Sequence, residues 1–151
     1  MTKPRGRIAG IDYGTVRIGI ALGDLETGLA GPYETYTRRN IERDAEYFSE
    51  LARAEGLQRF VVGLPVHLDG HESQKSREAR QFGQWLGQLT GIPIDYFDER
   101  FSSSEAESIL LEANLTKKRR KARIDQMAAQ IMLTAYLESG AQGQESPGGI
   151  D

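Results

Sequence analysis

Near the start of the chain two apolar runs, residues 8–11 and 18–22, stand either side of a short turn, and the first run ends in a carboxylate, Asp12. With Gly14 in the turn, the segment reads as a buried strand, a tight turn and its hairpin partner. A carboxylate at the end of a core strand is costly to bury unless a cation or a set of donors compensates it. Everything packed around Asp12 must answer that demand. Asp12 has three readings: it caps its own turn, as Asp and Gly commonly do; it ligates a catalytic metal; or, with Gly14 and Thr15, it forms a turn that cradles a nucleotide phosphate.

Downstream, residues 31–37 are rich in aromatic and β-branched side chains and read as an edge-like third strand, so the chain opens with three antiparallel strands. Asn40 caps a helix in which Ile41, Ala45, Phe48 and Leu51 share a face, and Gly56 closes it. Residues 60–64 form a continuous apolar strand of the sort covered on both faces, ended by Pro65. A loop containing His67, Asp69 and His71 leads to a helix with Ala79, Phe82, Leu86 and Leu89 inward, stopped at Gly91. Residues 92–97 make the fifth strand, which runs into Asp98, Glu99 and Arg100. Ser102, Ser103 and Ser104 offer caps for the next helix, with Ala106, Ile109, Leu110 and Ala113 on its buried stripe. A basic loop at 117–123 follows. The last helix starts near Ile124, carries Asp125 in its first turn, and shows Met127, Ala128, Ile131 and Ala135 at helical spacing. Residues 1–139 thus form one domain, and 140–151, with almost nothing to bury, read as a disordered tail.

The order of strands and helices predicts an α/β fold: a mixed five-stranded sheet, three antiparallel strands and then parallel ones, flanked by helices on both faces. Sites in such sheets gather at the carboxyl ends of the parallel strands. Asp12 follows the first strand, Asp98 and Glu99 the fifth, and Asp125 opens the final helix. Acids converging there cannot all stay ionised in a partly dry site without cations. An oxygen-rich cluster suits Mg²⁺ or Mn²⁺ over zinc, and two such ions are the usual apparatus for in-line attack on a phosphodiester. Asp98 and Glu99 are neighbours on an extended segment, so they point to opposite faces and only one ligates; Glu99 is favoured and Asp98 held in reserve.

Composition narrows the partners. The chain has no cysteine, which removes disulfide scaffolds, thiolate zinc sites and cysteine nucleophiles together. No apolar run is long enough to span a bilayer and no apolar signal core follows the basic N-terminus, so a soluble cytoplasmic protein with no membrane partner is expected. The formal net charge is −3, yet residues 117–123 carry +6, leaving −9 elsewhere. Binding to polyphosphate follows the local field more than the net charge. Alone, such a run is ordinarily a solvated loop. Here it leads straight into the helix of Asp125, so the candidate nucleic-acid contacts are Lys117, Lys118, Arg119, Arg120, Lys121 and Arg123, with Arg17 and Arg100. Arg100 serves equally as an ion-pair partner for Asp98. No aromatic ladder for stacking bases is evident, and a nucleotide-binding kinase or ATPase built on the Asp12 turn would need two domains of this kind where 151 residues provide one.

Four segments coincide with the motifs of a known family: Gly10-Ile11-Asp12-Tyr13-Gly14-Thr15, Val62-Gly63-Leu64-Pro65 with Leu68-Asp69-Gly70, Asp98-Glu99-Arg100-Phe101-Ser102-Ser103, and Ile124-Asp125-Gln126-Met127-Ala128-Ala129. In this order and spacing the chain, over residues 7–139, resembles the YqgF/RuvX family. The resemblance implies a ribonuclease H-like fold related to the RuvC Holliday junction resolvases, and a bacterial cytoplasmic nuclease that matures the 5′ end of the small-subunit (16S) rRNA precursor. Holliday junction resolution, or nucleic-acid binding without catalysis, is the alternative. The family's acidic triad falls on Asp12, Glu99 and Asp125. The implied partners are an RNA precursor or branched DNA and the ribosome, with the chain a monomer or a homodimer. Two departures, Gly23 where members often have Ser and His67 where they often have Asn, leave the triad untouched.

Overall fold

The computed structural model describes residues 6–65, 73–99 and 117–141. Its elements are β1 (Arg7–Asp12), β2 (Arg17–Asp24), β3 (Ala30–Thr37), α1 (Ile41–Glu55), β4 (Arg59–Leu64), α2 (Gln74–Thr90), β5 (Ile94–Asp98) and α3 (Lys117–Glu138). The strands form one sheet in the order β3-β2-β1-β4-β5. β1 pairs antiparallel with β2 and β2 with β3, whereas β1–β4 and β4–β5 are parallel. This is the mixed sheet expected from the run of hairpins followed by strand-helix alternation.

Strand alternation sorts the apolar side chains into two cores. Ile11, Ile18, Ile20, Phe60, Val62 and Leu64 pack against Phe48 of α1 and Phe82 and Leu86 of α2. Ile8, Ala21, Val61 and Phe97 project to the other face and meet Ala129, Met132, Leu133 and Tyr136 of α3. Helices therefore cover both faces. The caps follow the sequence: the Asn40 side chain accepts from the Arg43 N–H, and Gly56 and Gly91 close α1 and α2 in the left-handed conformation.

Three expectations change. In α1 the buried residues are Asp44, Phe48, Leu51 and Ala52, while Ile41 is 60 % exposed. Asp44 is tolerated inside because it accepts hydrogen bonds from the Tyr36 hydroxyl (2.7 Å), Arg38 Nε (3.2 Å) and the Arg39 N–H (3.1 Å). The basic stretch at 117–123 is not a loop: α3 begins at Lys117, which moves Asp125 from the first turn of the last helix into the third. The inward stripe of α3 is also one residue on from the expected set, with Ala129, Met132, Leu133 and Tyr136 buried, whereas Ile124, Met127, Ala128, Ile131 and Ala135 are only partly buried. Both sets have helical period, and the sheet decides between them. Gly10 and Gly23 open a trough in which Leu133 lies, so a Cβ on either glycine would come within 3.0 Å of the leucine side chain. The loop of His67, Asp69 and His71, the helix expected over residues 106–113, and the tail beyond residue 141 lie outside the described residues.

Candidate active site

β1 delivers Asp12 to the carboxyl edge of the sheet, on the face that α3 covers. Its neighbour in register on β2 is Gly19. On the other side Ile11 pairs with Val62 of β4, which brings Gly63 beside Asp12. Both neighbours thus lack a side chain, and both vacancies are used. A Cβ on Gly19 would sit 2.0 Å from the Asp125 carbonyl oxygen, so the backbone of α3 rests directly on β2 next to Asp12. A Cβ on Gly63 would sit 2.2 Å from Glu99 Oε2, so Glu99 lies across β4 toward the same point.

Alternation along β5 decides between the two adjacent acids. Ile94 and Tyr96 join the α1/α2 core and Phe97 the α3 core, which sends Asp98 to the α1/α2 side and Glu99 to the side of Asp12. Asp98 is 2 % exposed. Asp12 and Glu99 keep some surface, yet they hydrogen-bond to one another. Burial, then the Glu99 charge and hydrogen bond, and then Asp125 push the Asp12 carboxyl well above the usual carboxylate range. Burial also raises Glu99, against the hydrogen bond from Asp12 and the nearby Lys75, with Asp98 adding to the rise. Burial thus makes both carboxyl groups harder to ionise side by side than they would be in water.

Asp125 stands close enough to act on Asp12 electrostatically, but its carboxylate is turned to Arg17, whose Nε donates to Oδ2 at 2.9 Å. Among the described residues no three acidic groups stand together as a finished metal site. The geometry therefore unites Asp12 and Glu99 and holds Asp125 beside them on an arginine. Arg123 is exposed on α3; Arg100 and the side chains of Lys117, Lys118, Arg119, Arg120 and Lys121 lie outside the described residues.

Two further groups act on the site without having been expected. Lys75 occupies the first turn of α2, and the Ser73 cap ties that turn to the end of β4 by donating to the Pro65 carbonyl (3.0 Å). Its charge opposes the rise of both Asp12 and Glu99. A cation in the first turn of a helix, against the dipole, is the sequence sign that marks Lys75. Arg38 braces the turn after Asp12: its N–H donates to the Val16 carbonyl (2.9 Å), its Nη1 to the Tyr13 hydroxyl (2.9 Å) and its Nε to Asp44. No short motif joins residues so far apart in the chain.

The comparisons agree with this architecture. A profile of RuvX, described as "Holliday junction resolvase", matches residues 6–139. A protein of Rhodopirellula baltica is 46 % identical over 89 % of this chain and 78 % of its own length, and one of Syntrophomonas wolfei is 40 % identical over 92 % and 99 %. Both bear the name "Putative pre-16S rRNA nuclease". Among solved structures, T. thermophilus RuvC in complex with a Holliday junction substrate superposes with a TM-score of 0.58 at 17 % identity, covering 90 % of this chain and 96 % of that one. The Fowlpox virus resolvase bound to Holliday junction DNA gives 0.55 at 8 % identity, covering 90 % and 99 %. At such identities the likeness is one of fold, and that fold is ribonuclease H-like. With the profile spanning nearly all of the chain and relatives of this identity matching most of their own length, the chain belongs to the RuvX family.

Proposed function

We propose that this chain is a divalent-metal-dependent nuclease that hydrolyses phosphodiester bonds at the 5′ end of pre-16S rRNA. The observation that carries the reading is the Asp12–Glu99 carboxyl pair, seated between two glycines at the carboxyl edge of β1 with the backbone of Asp125 against its other side. The substrate comes from the names of the relatives. Family membership supports the class of reaction.

The residues fit a hard divalent cation. Asp12 and Glu99 are oxygen donors whose charge the described residues do not neutralise, apart from the field of Lys75. Asp12, Glu99 and Asp125 would hold Mg²⁺ or Mn²⁺, in one or two sites, and the bound ion supplies an activated water and charge stabilisation at the leaving oxygen. Arg17 has two acceptors to choose between, the Asp125 carboxylate and a phosphate of the substrate. A phosphate that engages the guanidinium releases Asp125 toward the other two acids. The six cations at 117–123, on the turns of α3 that precede Asp125, draw the polyanion to this edge. No helix among the described residues is long and apolar enough to cross a membrane, and a cytoplasmic chain working on a ribosomal precursor fits the reading. Trimming one RNA end needs one site, so a monomer suffices.

The test sets a labelled pre-16S rRNA fragment beside a four-way DNA junction, in Mg²⁺ or Mn²⁺, with Asp12→Asn as control. Cleavage of the RNA alone is expected, lowered in the variant by roughly a hundredfold or more, which corresponds to about 2.7 kcal/mol of barrier. Paired cuts in the junction would replace the RNA reading with a resolvase. No cutting of either would make the protein a binding module.

A further inference from the structure

Beyond the acids, a groove of about 400 Å³ runs between β3 and α1, with Tyr33, Tyr36 and Tyr47 as its aromatic wall and Arg39 and Arg43 at one end. A volume of this size is in the range of small-molecule sites. Tyr33 reaches the groove through a defect in the strand. β3 pairs with β2 as Glu34↔Ile20 and then Pro32↔Ala21, so Tyr33 is an extra residue, a β-bulge on the edge strand. A bulge breaks the alternation and re-aims a side chain, and here it puts the ring, 41 % exposed, on the same wall as Tyr36. The rings of Tyr36 and Tyr47 are already stacked, 4.0 Å between centroids and 20° from parallel.

The charges are arranged along the groove. Glu46 and Glu50 also line it: Glu50 is paired with Arg53, which does not line the groove, while Glu46 shares Arg43 with any phosphate bound there. Arg39 forms no ion pair among the described residues, and the pair of Arg43 with Glu46 is long (3.5 Å) and exposed. The arginine end faces the catalytic edge. Thr37, two residues before Arg39, pairs in register with Arg17, which holds Asp125. At the level of Asp12 the register runs through Gly19 to Thr35, two strand spacings or about 10 Å along the sheet; Asp12 is on the α3 face and the groove on the α1 face, so a nucleic-acid strand must pass over the edge of the sheet to reach both.

We propose that this groove binds one unpaired nucleotide of the substrate strand, its base laid on Tyr33 and Tyr36 and its phosphate on Arg39 and Arg43, a few nucleotides from the cleaved bond. Aromatic faces accept any base, and neighbouring arginines take the phosphate, which is the usual construction of single-strand sites. A base held in a duplex cannot enter, so the groove selects substrates with an unpaired flank. The identity of the strand rests on the nuclease reading; the groove's chemistry does not.

The test measures binding of a labelled single-stranded RNA oligonucleotide to the parent chain, Tyr33→Ala, and Tyr33→Ala combined with Arg39→Glu, with circular dichroism confirming the fold of each. Tyr33→Ala is expected to weaken binding about tenfold, within the range of one lost base stack, and the double variant more. Binding of the corresponding duplex should not change. RNA bearing 5-iodouridine should crosslink to Tyr33 or Tyr36. A small phosphodiester, bis(p-nitrophenyl) phosphate with Mn²⁺, is too short to reach the groove, and its hydrolysis separates the two ideas: the parent and Tyr33→Ala should cleave it equally. A parent chain that leaves this ester intact while RNA still crosslinks to the groove keeps the groove and removes the nuclease. Undiminished RNA binding by the double variant would overturn the groove. So would variants that bind RNA normally but break a dimer of the chain in ultracentrifugation, which would make this face a protein interface.

Discussion

A methyl group added at Gly19 and one added at Gly63 would both land beside Asp12, yet they would meet different things. At Gly19 the obstacle is the backbone of Asp125 at 2.0 Å, which no side-chain rotation relieves. α3 would have to lift from the sheet and give up its packing on Ala21 and Val61. Gly19→Ala is therefore expected to lower stability by about 3 kcal/mol or more in denaturant unfolding. At Gly63 the obstacle is the carboxylate end of Glu99 at 2.2 Å, which can swing away. Gly63→Ala should fold with a loss of about 1 kcal/mol but cleave no better than Glu99→Ala; full activity would show that Glu99 does not work from across β4. Asp12 adds a pH signature. Burial, and then Glu99, raise its pKa, so the folded chain keeps a proton that the unfolded chain has lost. That contribution is complete below the unfolded carboxylate range and declines as pH rises. Asp12→Asn removes the decline, so in chelator at neutral pH the variant should melt above the parent chain.

Between elements, the contact of α1 with β3 and the Asp12 turn depends on one buried carboxylate. Burial alone would raise the pKa of Asp44, but hydrogen bonds from Tyr36, the Arg39 N–H and Arg38, with the Arg38 charge, outweigh it and hold the group below its usual value. An acid lowered in the folded state stabilises above its unfolded pKa, and that stability is lost as pH falls through the lowered one. Asp44→Asn should cost about 1–3 kcal/mol at neutral pH, and the gap to the parent should narrow below about pH 4, read from urea unfolding at both pH values. The same residue marks where the sequence stops being legible. Phe48 and Leu51 follow from apolar spacing, but spacing put Ile41 in the stripe because a satisfied polar residue leaves no apolar trace. The start of α3 was hidden for a related reason: six cations in the first turns of a helix oppose its dipole and read as a loop.

Across the whole molecule, the site joins the antiparallel half of the sheet to the parallel half. Asp12 lies on the strand that belongs to both, Asp125 meets it over β2 and Glu99 over β4. Acids placed at strand ends made a meeting of Asp12 and Glu99 an expectation of the sequence; the period-two rule separated Asp98 from Glu99 without saying which faces Asp12, and the packing of β5 supplies that. Lys75 left one sign only, a cation against the dipole in the first turn of α2, and Arg38 left none, because it reaches the site from a segment whose own pattern gives no reason to point there. At the far end of α3 the Tyr136 hydroxyl donates to Asp95 and accepts from Arg59 Nη1 (2.5 Å), which anchors the helix to β4 and β5. The helix is thus fixed near its C-terminal end by Tyr136 and in its third turn by the Gly19 seat.

α3 is also the last of these elements to be synthesised. A chain emerging N-terminus first can pair its five strands and pack α1 and α2 while the other sheet face, with Ile8, Ala21, Val61 and Phe97, is still bare. At that stage Asp12 and Glu99 have both been made and Asp125 has not. On the proposed reading the order of translation would act as a safety catch: a half-made chain, still attached to the machine whose RNA it is proposed to trim, would lack Asp125 until the helix that covers the sheet arrives.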